Sequence, residues 1–180
     1  MSKVLIISTS LRGGSNTEIL AKECLRGASD NGSEAEYISL KGKKINFCIG
    51  CMSCQSKGKC VLSDDVAEII EKVKNAGTLV FATPIYYYEM CGQMKTLLDR
   101  LNPLYGTDYK FRKVYMIAAA AENSDYAFEK AYNGLYGWVE CFPKAELCGH
   151  VFGGGSRRAE MHRDGSRDDR GLRHGRYLLL

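Results

Sequence analysis

Long apolar runs are missing from this sequence. Nowhere in its 180 residues does a stretch approach the roughly 20 apolar residues that span a bilayer, so no membrane association is expected. The first apolar run, Val4 to Ile7, is short and no cleavage signal follows it, so the chain does not read as an export substrate. An excess of one charge is missing too. The net charge is +4, but residues 156–180 hold seven Arg against four acids and account for +3 of it. The rest of the chain is nearly neutral and gives no electrostatic reason to expect nucleic acid. Internal repeats and low-complexity linkers are absent. Hydrophobic residues make up 45% and charged residues 26%, so one domain with a complete core is expected over residues 1–155, followed by an atypical Arg-rich tail at 156–180.

Cysteine is plentiful by contrast, at eight residues. Without an export signal, that number points to a reducing, cytoplasmic setting in which thiols serve metals or redox chemistry. Four of them, Cys48, Cys51, Cys54 and Cys60, lie in the run F-C-I-G-C-M-S-C-Q-S-K-G-K-C-V. Two-residue gaps let three thiolates turn inward from one loop, the spacing that wraps an iron–sulfur cube. The closing gap is five residues, and Val61 follows instead of the proline of a ferredoxin run. Three readings therefore stay open: an iron–sulfur cluster, unmetallated thiols beside a cofactor, and zinc or disulfides.

Apolar runs alternate with helical periods along the chain. Residues 4–9 (V-L-I-I-S-T) read as a buried strand. Residues 17–31 place Leu20, Cys24 and Ala28 on one helical face, and residues 35–40 alternate as an edge strand does. Asp64 and Asp65 mark a helix start, with Val66, Ile69, Ile70 and Val73 as its buried face. A strand at 79–83, a helix through Met94, Leu97, Leu98 and Leu101, and a strand at 114–120 follow. A helix through Phe128, Ala131, Tyr132, Leu135 and Val139 then leads to a last strand at 145–152. This order predicts an α/β, doubly wound, five-stranded parallel sheet of flavodoxin-like order 2-1-3-4-5, with helices on both faces.

In such a sheet, ligands bind past the carboxyl ends of the strands, where the first and third diverge. The loop after strand one, S-T-S-L-R-G-G-S-N-T, brings Ser8, Ser10, Arg12, Ser15, Asn16 and Thr17 to a helix start. Hydroxyls, free N–H groups and the positive helix end make a phosphate cradle there. It is neither a Walker loop, since G-K-[ST] is absent, nor a G-x-G-x-x-G turn. The plainer reading is an N-cap followed by a turn. The loop after strand three, A-T-P-I-Y-Y-Y-E-M-C-G-Q-M-K, offers Pro84, Ile85, Tyr86 and Tyr87 as flat apolar surface, with backbone near Gly92 for a ring's polar edge. For Tyr87 and Tyr88, packing or an oligomer contact is an equal reading.

Taken together, these two loops and the cysteine run with its C-V-L-S-D-D continuation resemble the NADPH-dependent FMN reductase family. Within it, the chain is most similar to the iron–sulfur flavoproteins, over about residues 3–155. The resemblance implies FMN with its phosphate in the loop from Ser8 to Thr17. It places the isoalloxazine against Pro84 to Tyr86 and the loop at 119–123, beginning with Ala119. It also implies NAD(P)H as co-substrate and a four-iron, four-sulfur cluster on Cys48, Cys51, Cys54 and Cys60. The family's usual last amphipathic helix, after the glycines at 153–155, has no counterpart pattern in the tail, to which no function is assigned.

No catalytic acid–base pair stands out, because the cofactor carries the difficult electronics. His150 reads as structural, and Lys95 and Arg100 as surface or helix-pairing charges. The expected function is an FMN-dependent oxidoreductase passing electrons from NAD(P)H to a quinone, flavin or other acceptor, by way of the cluster where one is bound. The alternative is a non-enzymatic flavin and iron–sulfur carrier between partner proteins. A homodimer or homotetramer is expected, with a small-molecule acceptor or redox protein as partner. The cysteine loop leaves the same sheet edge as the phosphate loop, so it is expected to lie near the flavin.

Overall fold

The computed structural model describes residues 3–155; the Arg-rich tail lies outside the described residues. Strands β1 (Lys3–Ser8), β2 (Glu34–Ser39), β3 (Thr78–Tyr86), β5 (Lys113–Ala119) and β6 (Glu146–Gly153) form a parallel sheet in the order β2-β1-β3-β5-β6. This is the expected order, counted over the long strands. The sequence reading lacked one strand, β4 (Glu89–Met90), which folds back antiparallel on the end of β3. Two residues carry too little periodicity to be seen as a strand.

Burial explains the order. The central strands β1, β3 and β5 are apolar on both faces, since helices cover both, whereas the edge strands β2 and β6 are mostly half-buried or exposed. On one face, α1 (Asn16–Asp30) buries Ala21, Cys24 and Ala28 against Val4, Ile6, Val80 and Ile117. Burial pushes the Cys24 thiol up to about 11, so it behaves as a small core hydrophobe. On the other face lie α3 (Val66–Asn75), α4 (Gly92–Arg100) and α5 (Tyr126–Glu140), which bury the stripes read from the sequence against Leu5, Leu79, Phe81 and Met116. His150 on β6 packs against the rings of Phe128 and Tyr132.

One reading needs correction. Lys95 is a surface charge paired with Asp99, but Arg100 is a core residue with only 1% of its side chain exposed. Its Nη1 donates to Asp64 Oδ2 at 2.6 Å and to the Asn46 carbonyl at 2.7 Å, and its Nη2 donates to Asp64 Oδ1 at 2.9 Å. Asp64 also accepts from the N–H groups of Asn46 and Val66. Asp65 reaches the Lys44 N–H and provides no side-chain cap for α3. The two acids therefore close the neck of the cysteine loop as well as opening a helix.

Burial alone would raise the Asp64 carboxyl, but Arg100 and the two N–H groups outweigh it and hold the pKa down to about 2. A depressed folded-state pKa gives stability that is complete above about pH 4 and is lost as pH falls through about 2, worth about 2 kcal/mol. Asp64→Asn is expected to cost about 3–5 kcal/mol at neutral pH, because it leaves Arg100 buried without a counter-charge. Urea unfolding from pH 6 to pH 2 should also show a flatter acid limb for the variant than for the parent.

Candidate functional site

A cleft of about 200 Å³ opens past the carboxyl ends of β1, β3 and β5. Ser10, Arg12, Ser15, Asn16 and Thr17 line one wall; Pro84, Ile85, Tyr86, Ala119, Ala120 and Ala121 line the other. Nine of the expected cofactor residues thus meet in one place. Ser8, Tyr87 and Gly92 do not line it. Ser8 ends β1 fully buried, its hydroxyl without a hydrogen-bond partner among the described residues. Gly92 opens α4, and Tyr87 is 100% exposed at a hairpin tip. Ala120 and Ala121 follow Ala119 in the loop at 119–123, which the family resemblance already implied beside the ring.

The polar wall carries hydroxyls, an amide and one cation. Ser15 is the N-cap of α1 and its Oγ accepts from the Glu18 N–H, which places the positive end of the helix at this loop. Glu18 reaches back to the Gly14 N–H at 2.7 Å and pairs with Lys22; these partners hold its carboxyl below the usual range. Arg12 lines the cleft and no carboxylate does. The opposite wall is apolar and, at its alanines, low, so a flat ring has room to approach. Behind it, Gly154 packs so closely on Glu122 and Asn123 that a Cβ would meet backbone atoms at 2.9 Å, which fixes the loop beyond Ala121. Beneath the cleft, Thr9 and Thr83 bracket the buried Cys91, the N-cap of α4, with Thr9 Oγ1 and Cys91 Sγ 3.2 Å apart.

The chain between β3 and β4 turns on Tyr87 and Tyr88, both with positive φ, at 52° and 65°. A two-residue hairpin of this kind ordinarily takes Asn-Gly. Tyr88 is held against the Tyr126 ring, but Tyr87 touches solvent on all sides.

The four cysteines of the motif line a second, larger cavity of about 660 Å³. It lies between the cysteine loop and the C-terminal ends of α4 and α5, with Arg100, Asn102, Trp138 and a fifth thiol, Cys141, in its wall. Gly50, Met52 and Gly58 take left-handed conformations, which coil the loop around the short helix α2 (Ser53–Lys57). Asn102 donates its amide N–H to Cys54 Sγ at 3.0 Å. The Ser53 N–H and hydroxyl hold the Cys51 thiol below its ordinary value. Among the described residues, all eight cysteines are free thiols, and no three His, Cys, Asp or Glu side chains converge closely enough to hold a metal ion. Four soft donors around one cavity, with an amide donor on one sulfur, nonetheless fit the chemistry of a thiolate-bound cluster.

The expectation that this loop abuts the cleft needs correction. The loop leaves from the same sheet edge, but its cavity shares no lining residue with the cleft and sits at the opposite ends of α4 and α5.

The sequence model of the NADPH-dependent FMN reductases matches residues 2–133. The chain belongs to this family. An iron–sulfur flavoprotein of Methanocaldococcus jannaschii is 43% identical over 102 residues, covering 57% of this chain and 53% of the relative. One from Methanosarcina thermophila is 28% identical over 138 residues, covering 76% and 72%. The chain thus spans about half the length of the first of these relatives. Among solved structures, an NAD(P)H:quinone oxidoreductase from Methanothermobacter marburgensis superposes with a TM-score of 0.73 at 18% identity, covering 99% of this chain and 96% of that one. That likeness shows the flavodoxin-like fold.

Replacing Tyr87 by Asn is expected to stabilise the protein by about 1 kcal/mol, since a bulky residue in the left-handed region costs about 1–2 kcal/mol and Asn tolerates it better. Thermal unfolding reads this directly. A loss of stability would mean that Tyr87 has a contact beyond the single chain.

Proposed function

We propose that the protein is an FMN-dependent oxidoreductase that takes electrons from NAD(P)H and passes them to a quinone, a free flavin or another redox acceptor. The observation that carries this reading is the two-walled cleft at the strand ends, with an anion cradle facing an apolar shelf, in a chain of the FMN reductase family. Bound FMN supplies the electron-transfer chemistry. The chain's residues bind and orient. Ser10, Ser15, Asn16 and Thr17 offer hydroxyl, amide and N–H donors to the phosphate, and Arg12 adds a positive charge at its rim. Pro84, Ile85 and Tyr86 give the ring a dry shelf, and the small side chains at 119–121 leave its other face open to a nicotinamide or acceptor. Ser8 and Gly92 act from behind this surface, shaping the two loops. In the same reading, the cavity of Cys48, Cys51, Cys54 and Cys60 holds a four-iron, four-sulfur cluster.

The test is FMN affinity together with anaerobic NADPH oxidation in the presence of a soluble quinone. Replacing Asn16 and Thr17 together by Ala removes charge-assisted hydrogen bonds of about 1.5–3 kcal/mol each, so flavin affinity should fall at least about tenfold. Unchanged affinity would move the phosphate site elsewhere. Flavin binding without NADPH oxidation would favour the carrier reading.

The working unit is a homodimer or homotetramer. Tyr86 at the cleft and Tyr87 at the neighbouring hairpin tip are 58% and 100% exposed, and Phe47, Ile49 and Met52 are exposed on the cysteine loop. Two apolar patches of this kind gain from burial by a second copy. Light scattering at micromolar concentration should return a multiple of the 20.0 kDa chain mass, and a value near the chain mass overturns the assembly. Among the described residues, no helix is long and apolar enough to cross a membrane.

A further inference from the structure

We propose that Arg100 and Asn102 are the sulfur-facing donors of the cysteine cavity, positioning residues that set the reduction potential of the cluster held there. The inference rests on the cluster reading above and deepens it.

Three observations carry it. The first is an orphaned donor. Arg100 is almost fully buried and lines the cavity. Its two terminal nitrogens are committed to Asp64 and to the Asn46 carbonyl, yet its Nε is buried without a hydrogen-bond partner among the described residues. Leaving such a donor unsatisfied costs about 1–3 kcal/mol, more for a charged group, so its position calls for an acceptor. The cavity's thiols are the acceptors at hand, and Cys60 lies next to the guanidinium.

The second is the bond from Asn102 Nδ2 to Cys54 Sγ, at 3.0 Å. Asn102 is held for it. It opens a 3-10 turn (Asn102–Leu104) whose Pro103 and Leu104 are buried, and its carbonyl accepts from the Tyr105 N–H. The third is the polarity of the ion pair. Arg100 lines the cavity and Asp64 does not, so the neutral pair turns its positive end toward the sulfurs.

These groups act on charge. Reducing a cluster adds one electron, breaks no bond to the protein and spreads the added negative charge over the ligand sulfurs. An N–H donor or a fixed positive charge at a sulfur stabilises the reduced form more than the oxidised one, and so raises the potential. A purely structural role for Asn102, pinning the loop to the end of α4, predicts no such shift.

The experiment is a redox titration with dithionite of protein purified without oxygen, followed by cluster absorbance, with iron and sulfide measured on the same samples. Asn102→Leu should keep iron, sulfide and flavin at parental levels. Its reduced-to-oxidised ratio at a fixed potential should fall about tenfold, a midpoint lower by about 59 mV for a one-electron couple. Asn102→Asp, which replaces a donor by an anion beside Cys54, should lower it further. Arg100→Lys keeps the charge but removes Nε, and a lower midpoint is expected if it folds; the Asn102 variants decide the matter if it does not. An unmoved midpoint in fully loaded Asn102→Leu overturns the proposal. So does loss of iron from that variant alone, because the amide would then be a strut of the loop. A parent protein lacking iron and sulfide would instead defeat the cluster reading itself, and this inference with it.

Discussion

The parallel ladder of β1, β3 and β5 constrains everything else. Parallel strands covered on both faces have no solvated side, so their sequences are spent on apolar residues and none of their interior positions is free for chemistry. Every crossover between them must return over a helix, which places each new strand beginning at one edge and each strand ending at the other. Backbone groups left unpaired at those strand ends, and the helix N-termini that follow, are then the natural place for an anionic ligand. The cleft between Ser10 and Ala121 is the product of this geometry.

The cysteine cavity has a different origin. It is not a strand-end crevice but a pocket between a long loop and the far ends of two helices, and a sheet alone would not create it. Its neck is closed by Asp64, Asp65, Lys44 and Asn46, and Arg100 ties that neck to α4. A buried ion pair is weak evidence for added stability compared with an apolar core of the same size. Its value here is in position. It fixes where the loop starts and ends, and so which wall the thiols face.

How much of this could be read from residues alone follows from range. The strand order, the helix faces and both cleft loops were legible, because hydrophobic period and loop position are local signals that the flavodoxin-like topology converts into place. The hairpin at Tyr87 and Tyr88 was not, since nothing in three consecutive tyrosines announces positive φ where Asn-Gly is the usual signal. Arg100 does pair across helices, with Asp64 at the start of α3, but its burial was not legible because that partner lies 36 residues away. The same distance hid the location of the cysteine loop. Its spacing marked four thiols as one group, but spacing within a loop carries no information about the surface that the loop folds against.

Helix α4 links these two regions. Its first turn rests on Cys91, locked between Thr9 and Thr83 beneath the cleft, and its last turn carries Arg100, with Asn102 just beyond. Nine residues at 1.5 Å each make a rod of about 13 Å. Both ends are fastened by buried polar bonds, so the helix acts as a ruler between the two cavities. Any substitution that lengthened, kinked or released it would change their spacing. The internal residues of α4 that touch neither cavity, Met94 and Leu97 among them, thus calibrate that spacing.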